Sequence, residues 1–141
     1  MMTDKYKIVG SYIKDMSSET PEIDTYIFVK DHISKYRLNI DIKSIALKNK
    51  HIEINTTLTF SDKSESKKKS FFEIVYSTII RITEDIKEQN DLKKIILCEV
   101  PAKIYPDLQK FLITLLHNSG YPEIKIDKKI DFEELYNNKS N

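Results

Sequence analysis

EVPAKIYPDLQKFLITLLHNSGY, residues 99–121, decides how the chain is organised, because the sequence before it reads as sheet and the sequence after it as a short return. Neither Pro101 nor Pro106 can donate a backbone hydrogen bond, and inside a helix each ring crowds the preceding turn. A regular helix is therefore expected to begin near Pro106, with Asp107 favourable in its first turn. Gly120 can take a left-handed cap without steric penalty, and Pro122 prevents re-entry. On a helical wheel Ile104, Leu108, Phe111, Leu112, Leu115 and Leu116 form one broad stripe that should face a core. Gln109, Lys110, Thr114, His117 and Asn118 make the opposite face. Ile113 lies in the middle of that polar sector, either as a single exposed aliphatic or as a subunit contact.

Upstream, Tyr36, Leu38, Ile40 and Ile42 alternate with Arg37, Asn39, Asp41 and Lys43 in strict period two, which predicts a half-buried strand. Asn49-Lys50 supplies a turn. Ile52, Ile54, Leu58 and Phe60 then alternate with polar residues, so the two runs should pair as an antiparallel hairpin. SDKSESKKK, residues 61–69, reads as a solvated, charged loop. The strand after it, FFEIVYSTIIRI, is different, because Phe72, Ile74, Tyr76, Ile80 and Ile82 continue the core face while Phe71, Val75 and Ile79 are apolar on the other. Both faces want cover. The helix can take one, leaving the second for another chain, a partner, water or the N-terminal segment.

Residues 5–14 have strand-like apolar content interrupted by Gly10, and the turn-rich DMSSETPEID should end any strand before Pro21. Tyr26–Val29 is an aromatic and aliphatic patch of weak periodicity that fits a short edge strand or a packed loop. Residues 84–98 suggest a short helix running up to a break at Pro101. Tyr121–Ile126 reads as a brief extended piece. DFEELYNN follows as a terminal amphipathic helix with Phe132, Leu135 and Tyr136 on one side.

The 141 residues, 40% hydrophobic and 32% charged, suit a single globular α+β domain spanning 1–141. A net charge of +1 argues against a nucleic-acid partner. The single Cys98 excludes an intramolecular disulfide, and the N-terminus lacks the apolar segment of a signal peptide. No apolar run approaches the ~18 residues a spanning helix needs. A cytoplasmic location without membrane insertion is expected. With only Gly10 and Gly120 present, both glycine-rich phosphate loops are excluded.

Catalytic chemistry is hard to assemble from these residues. His32, His51 and His117 sit far apart without metal-ligand spacing, so no metal and no cofactor is expected. Cys98 and His117 could form a nucleophile and base on paper, yet Cys98 lies in IILCEV, where a lone cysteine behaves as a small hydrophobe. No carboxylate pair stands out as flanking a pocket. The residues alone describe an α+β domain that binds something apolar and is not an enzyme.

The order of motifs resembles the SecB family of protein-export chaperones. YIKDMSSETP, residues 12–21, is similar to that family's opening Tyr-x-Lys-Asp-x-Ser-x-Glu-x-Pro, and Phe28-Val29-Lys30-Asp31-His32 to its Phe-x-Lys-Asp-Trp, with His32 in place of the aromatic. PAKIYP matches Pro-x-x-[IL]-[FY]-Pro, and SGYPEIKIDKKIDFEELY resembles the family's closing segment. The resemblance implies a SecB-like four-stranded antiparallel sheet packed with a long helix and a short C-terminal helix, assembled as a homotetrameric dimer of dimers, with Ile113 as an assembly contact. It implies an ATP-independent holdase that keeps unfolded preproteins translocation-competent and passes them to a SecA-type motor. By position, Phe28, Tyr105, Phe132 and Tyr136 become candidates for a client-binding groove, and Asp15, Glu19, Phe71 and Glu73 for the SecA-like surface. Departures from the family are the near-neutral charge, the basic Lys67-Lys68-Lys69, Ser77-Thr78 in place of Gly-Gly, and no acidic extension after Asn141. A chaperone dedicated to an antitoxin is the first alternative, and a small-ligand-binding α+β domain is the second.

Overall fold

Ile52, Ile54, Thr56, Leu58 and Phe60 are all buried and the residues between them half-buried, the one-sided burial that period-two patterning demands. They belong to a computed structural model that describes residues 5–64, 68–86, 88–126 and 129–140. Four antiparallel strands, β1 (Tyr6–Glu19), β2 (Arg37–Ala46), β3 (His51–Ser61) and β4 (Phe71–Ile82), form one sheet in the order β1-β4-β3-β2. The β2–β3 hairpin forms as expected. His51 N–H donates to Lys48 O at 3.3 Å, and Asn49 and Lys50 take φ of 60° and 63°, the left-handed pair of a type I′ turn.

β1 corrects the expected N-terminal break. It pairs with β4 from Tyr6↔Ile82 to Glu19↔Phe71, carrying Asp15–Glu19 with it, and absorbs its irregularity in bulges between Ile8 and Gly10 and between Ile13 and Asp15. Backbone pairing holds polar residues that local propensity would send into a turn. The strand still ends before Pro21. Because β1 lies beside β4 rather than over it, the N-terminal segment leaves the second face of β4 uncovered. β1 itself exposes Val9, Tyr12, Ile13 and Met16.

Tyr26–Val29 is neither edge strand nor loop but part of a helix, α1 (Ile23–His32), followed by a 3₁₀ turn at Ile33–Lys35. Its buried positions are Thr25 and Val29, while Ile23 and Ile27 point to solvent, so its hydrophobicity does not follow the helical period.

The long helix also starts earlier than its prolines suggest. α2 (Gln89–Lys94), a π-helical turn (Ile95–Glu99) and α3 (Val100–Asn118) run on continuously. The wide turn, in which Val100 N–H reaches Ile95 O, immediately precedes Pro101 and accommodates the missing donor. Pro106 lies within α3, and both it and Ala102, whose carbonyl loses its helical partner, are exposed, so water can meet that carbonyl. The predicted stripe holds. Leu108, Leu112 and Leu116 have no exposed surface, and each contributes roughly 1.5–3 kcal/mol by burial. They pack on Leu58, Phe72 and Ile74 of the sheet. A second cluster joins Ile54 and Ile80 to Ile95 and Val100. Ile113 is half-buried at the edge of the first cluster.

The C-terminus of α3 closes as expected. Tyr121 N–H bonds to Leu116 O (3.0 Å) and Gly120 N–H to His117 O (3.3 Å), with Gly120 at φ +105°, a Schellman cap. Residues 121–126 then form a turn and irregular backbone, without pairing into the sheet. α4 (Phe132–Ser140) begins where Asp131 Oδ1 accepts the Glu134 N–H at 3.1 Å. Lys67 lies outside the described residues, so the predicted basic loop is described only in part.

Candidate functional site

Two regions gather the predicted residues. The first lies where α3 meets α4. Tyr105 and Phe132 are both buried and meet edge to face with ring centroids 5.7 Å apart. They wall a cleft of about 620 Å³ together with Pro106, Ile126 and Ile130, and exposed Ala102, Pro106 and Lys129 leave it open to solvent. Burial pushes the Tyr105 phenol above its ordinary value, so this wall stays neutral at physiological pH. Tyr136 sits one turn beyond Phe132 but faces a different, small cavity with Ile40, Ile42 and Leu97, and its hydroxyl donates to Asn90 O at 3.1 Å. Phe28 does not line either space. It stacks on His32 within α1, centroids 4.0 Å apart, while His32 Nδ1 lies 2.8 Å from Phe28 O.

Two further clefts were not legible in the sequence. One, of about 380 Å³, runs between Leu38 and Ile40 of β2 and Ile130 and Leu135 near α4. The other, of about 400 Å³, is bounded by Tyr26, Lys30, Ile33 and residues 120–124. The alternating apolar pattern of β2 and Tyr121 beside the Gly120 cap were the available signals, but the first read as a half-buried strand and the second as the start of a brief extended piece.

The second region is the open face of the sheet. Glu19 stands opposite Phe71, Ser17 opposite Glu73, and Asp15 opposite Val75, so the β1–β4 register brings Asp15, Glu19, Phe71 and Glu73 to one corner. Phe71 is 37% exposed and Glu73 half-buried, with Thr59 Oγ1 3.5 Å from its carboxylate. Val75 and Ile79 continue the apolar line down β4 and belong to neither core cluster. Lys14, at the second bulge, reaches over β4 to Glu53 on β3 (2.8 Å), and Asn55 Nδ2 donates to the same carboxylate oxygen (2.7 Å). Those two hydrogen bonds hold the Glu53 carboxyl below the usual range. Sequence reasoning missed this bridge, because Lys14 on β1 and Glu53 on β3 lie 39 residues apart and are joined only by the fold.

The residues considered for chemistry do not converge. Cys98 is buried in the π turn, and burial pushes its thiol up, away from the reactive thiolate. His117 lies 19 residues further along the same helical run, roughly 28 Å away at helical rise, and its Nε2 is 3.1 Å from Ile124 O. His51 Nδ1 lies 3.2 Å from Lys48 O. Among the described residues no group of three or more His, Cys, Asp or Glu could hold a metal ion, and no helix is long and apolar enough to cross a membrane.

Compared with known proteins, residues 2–141 match the profile of the family described as SecB, preprotein translocase subunit SecB. A relative from Pelagibacter ubique (strain HTCC1062), named putative protein-export protein SecB, is 58% identical over 140 residues, covering 99% of this chain and 100% of its own. A protein-export protein SecB from Bradyrhizobium sp. (strain BTAi1) is 27% identical, covering 92% of this chain and 78% of its own. Among solved structures, the Mycobacterium tuberculosis Rv1957 SecB-like chaperone, in complex with a ChAD peptide from the Rv1956 HigA1 antitoxin, superposes with a TM-score of 0.63 at 10% identity, covering 89% of this chain and 91% of that one. At that identity the likeness shows the fold alone.

Proposed function

This chain belongs to the SecB family of protein-export chaperones, and from that premise we propose that it is an ATP-independent holdase, acting in the cytoplasm, whose apolar clefts capture unfolded preproteins. The observation that carries this reading is the Tyr105–Phe132 cleft, whose walls are aromatic and aliphatic, with Gln109 and Lys129 as its polar members, and which is open at the surface. Such walls lack a precise polar code. Many sequences can therefore bind each cleft weakly and gain avidity by occupying several at once. A small-ligand domain would enclose its ligand, and these clefts do not close.

Delivery follows from the second region. Asp15, Glu19 and Glu73 around exposed Phe71 form an acidic, apolar-centred corner suited to a basic segment of a SecA-type motor. The free edge of β1 and its face that shows Ile13 and Met16, with half-buried Ile113 on α3, are the surfaces we assign to homo-oligomer contacts in a dimer of dimers.

The test is aggregation of a chemically denatured protein on dilution without ATP. Suppression near one oligomer per client supports the holdase. No suppression by a folded oligomer would overturn general capture and leave a dedicated client, such as the antitoxin peptide seen with the solved relative, as the reading to pursue by pull-down.

A further inference from the structure

The open face carries charge at both ends, and the acidic corner uses only one. At the other end Lys7 of β1 stands directly opposite Arg81 of β4, and Arg81 stands opposite His51 of β3. Three basic side chains therefore make a row across adjacent strands, with Lys7 and Arg81 exposed and His51 half-buried. Like charges directly opposite on one face weaken strand pairing, so the row is a cost to the folded chain. Among the described residues, three neighbouring carboxylates are paired with other lysines. Asp91 pairs with Lys5, Asp85 with Lys50, and Glu53 with Lys14.

Beyond His51 the same end of the sheet exposes Ile45 (49%) and Leu47 (42%), and Leu47 N–H is tied to His51 O at 2.8 Å. Lys7 and Arg81, which make no side-chain hydrogen bond or ion pair among the described residues, stand beside exposed aliphatics on the same face and call for a complement that is both acidic and aliphatic. A lipid surface is the poorer match, because the row spans only about 10 Å across three strands and Glu53 stands at its border.

We propose that Lys7, Arg81 and His51 form a second docking point on the open face, which takes a short acidic and aliphatic segment of a protein partner. It lies eight residues along β4 from Glu73, about 27 Å, so one extended partner could touch both ends. The proposal stands independently of which protein occupies the acidic corner.

The test uses the full-length oligomer and a fluorescent peptide, Glu-Ser-Glu-Ile-Glu-Ser-Glu, followed by anisotropy at low ionic strength. Lys7→Gln with Arg81→Gln should weaken binding about tenfold, with circular dichroism unchanged. Equal binding by the wild type and the double variant would overturn the proposal. So would equal binding of a peptide carrying Lys for Glu, which assigns capture to the apolar clefts, or wild-type binding of phosphatidylglycerol vesicles with none of the peptide. Should Lys7→Gln with Arg81→Gln perturb the fold, Lys7→Met with Arg81→Met keeps the aliphatic stems and gives the same reading. Peptide binding lost in the double variant, together with no suppression of aggregation, would leave this docking point standing while the holdase reading fell.

Discussion

The Tyr26 hydroxyl donates to the Gly120 carbonyl at 2.7 Å, and its ring carbon Cε1 stands 2.6 Å from where a Cβ on Gly120 would lie. One tyrosine from the first helix thus rests on the cap of the long one. Gly120 is required twice, by its φ of +105° and by that contact.

Gly120→Ala should therefore lower stability by about 2 kcal/mol or more, whereas Tyr26→Phe, which loses only the hydrogen bond, should lower it by about 1 kcal/mol. Urea unfolding of both variants checks this. Equal effects would mean that neither the left-handed backbone nor the ring contact adds a cost beyond that of the lost hydrogen bond.

Phe71→Asp and Glu73→Lys should each weaken binding of a SecA-type motor without unfolding the domain, since Phe71 is exposed and the Glu73 carboxylate, half-buried, accepts a long 3.5 Å hydrogen bond from Thr59. Titration calorimetry with circular dichroism as a control decides it. Loss of fold instead would show that the corner is structural.

Tyr105→Ala removes half of a buried edge-to-face pair and should cost about 3 kcal/mol while also reducing suppression of aggregation. Tyr136→Phe should cost about 1 kcal/mol, from the lost tie to Asn90, and leave client capture intact. Capture retained by a folded Tyr105→Ala would move the client site elsewhere.

Ile113→Asp should shift the assembly to smaller particles by light scattering. An unchanged mass would remove Ile113 from the subunit contact.

The Lys14–Glu53 bridge has a pH signature. Glu53 titrates below its ordinary value of 4.5 in the folded chain, so its contribution is complete above that pH and is lost as acid takes the solution through the lower folded value. Lys14, raised above 10.5 by the same partner, contributes below that pH and loses its share as alkali passes its folded value. In Lys14→Met the unfolding midpoint should vary less over both ranges. An unchanged acid limb would remove this bridge from the account.

What was legible in the sequence was what neighbours along the chain determine. The β2–β3 alternation, the Leu108–Leu112–Leu116 stripe and the Gly120 cap are local periods and local stereochemistry. α1 was not legible because Thr25 takes a buried position while Ile23 and Ile27 are exposed, the reverse of an amphipathic pattern. The helix start was missed because a π turn ahead of Pro101 and solvent beside Pro106 tolerate both prolines. The polar end of β1 is a strand only because β4 pairs with it. At the candidate site, family resemblance named the acidic corner, but the register that joins Glu19 to Phe71 is long-range, as is the meeting of Tyr105 with Phe132. Phe28 and Tyr136, named the same way, lie apart from that pair.

A strand that shows Tyr12 on one side of the sheet, Ile13 and Met16 on the other, and an edge that no described residue pairs with would, through the subunit contact proposed for it, make stability a function of amount. Whatever pairs with β1 stabilises the fold by mass action, in proportion to the logarithm of its concentration once bound. The melting temperature should then climb as the protein is concentrated, and a dilute solution should hold a weaker molecule than a concentrated one.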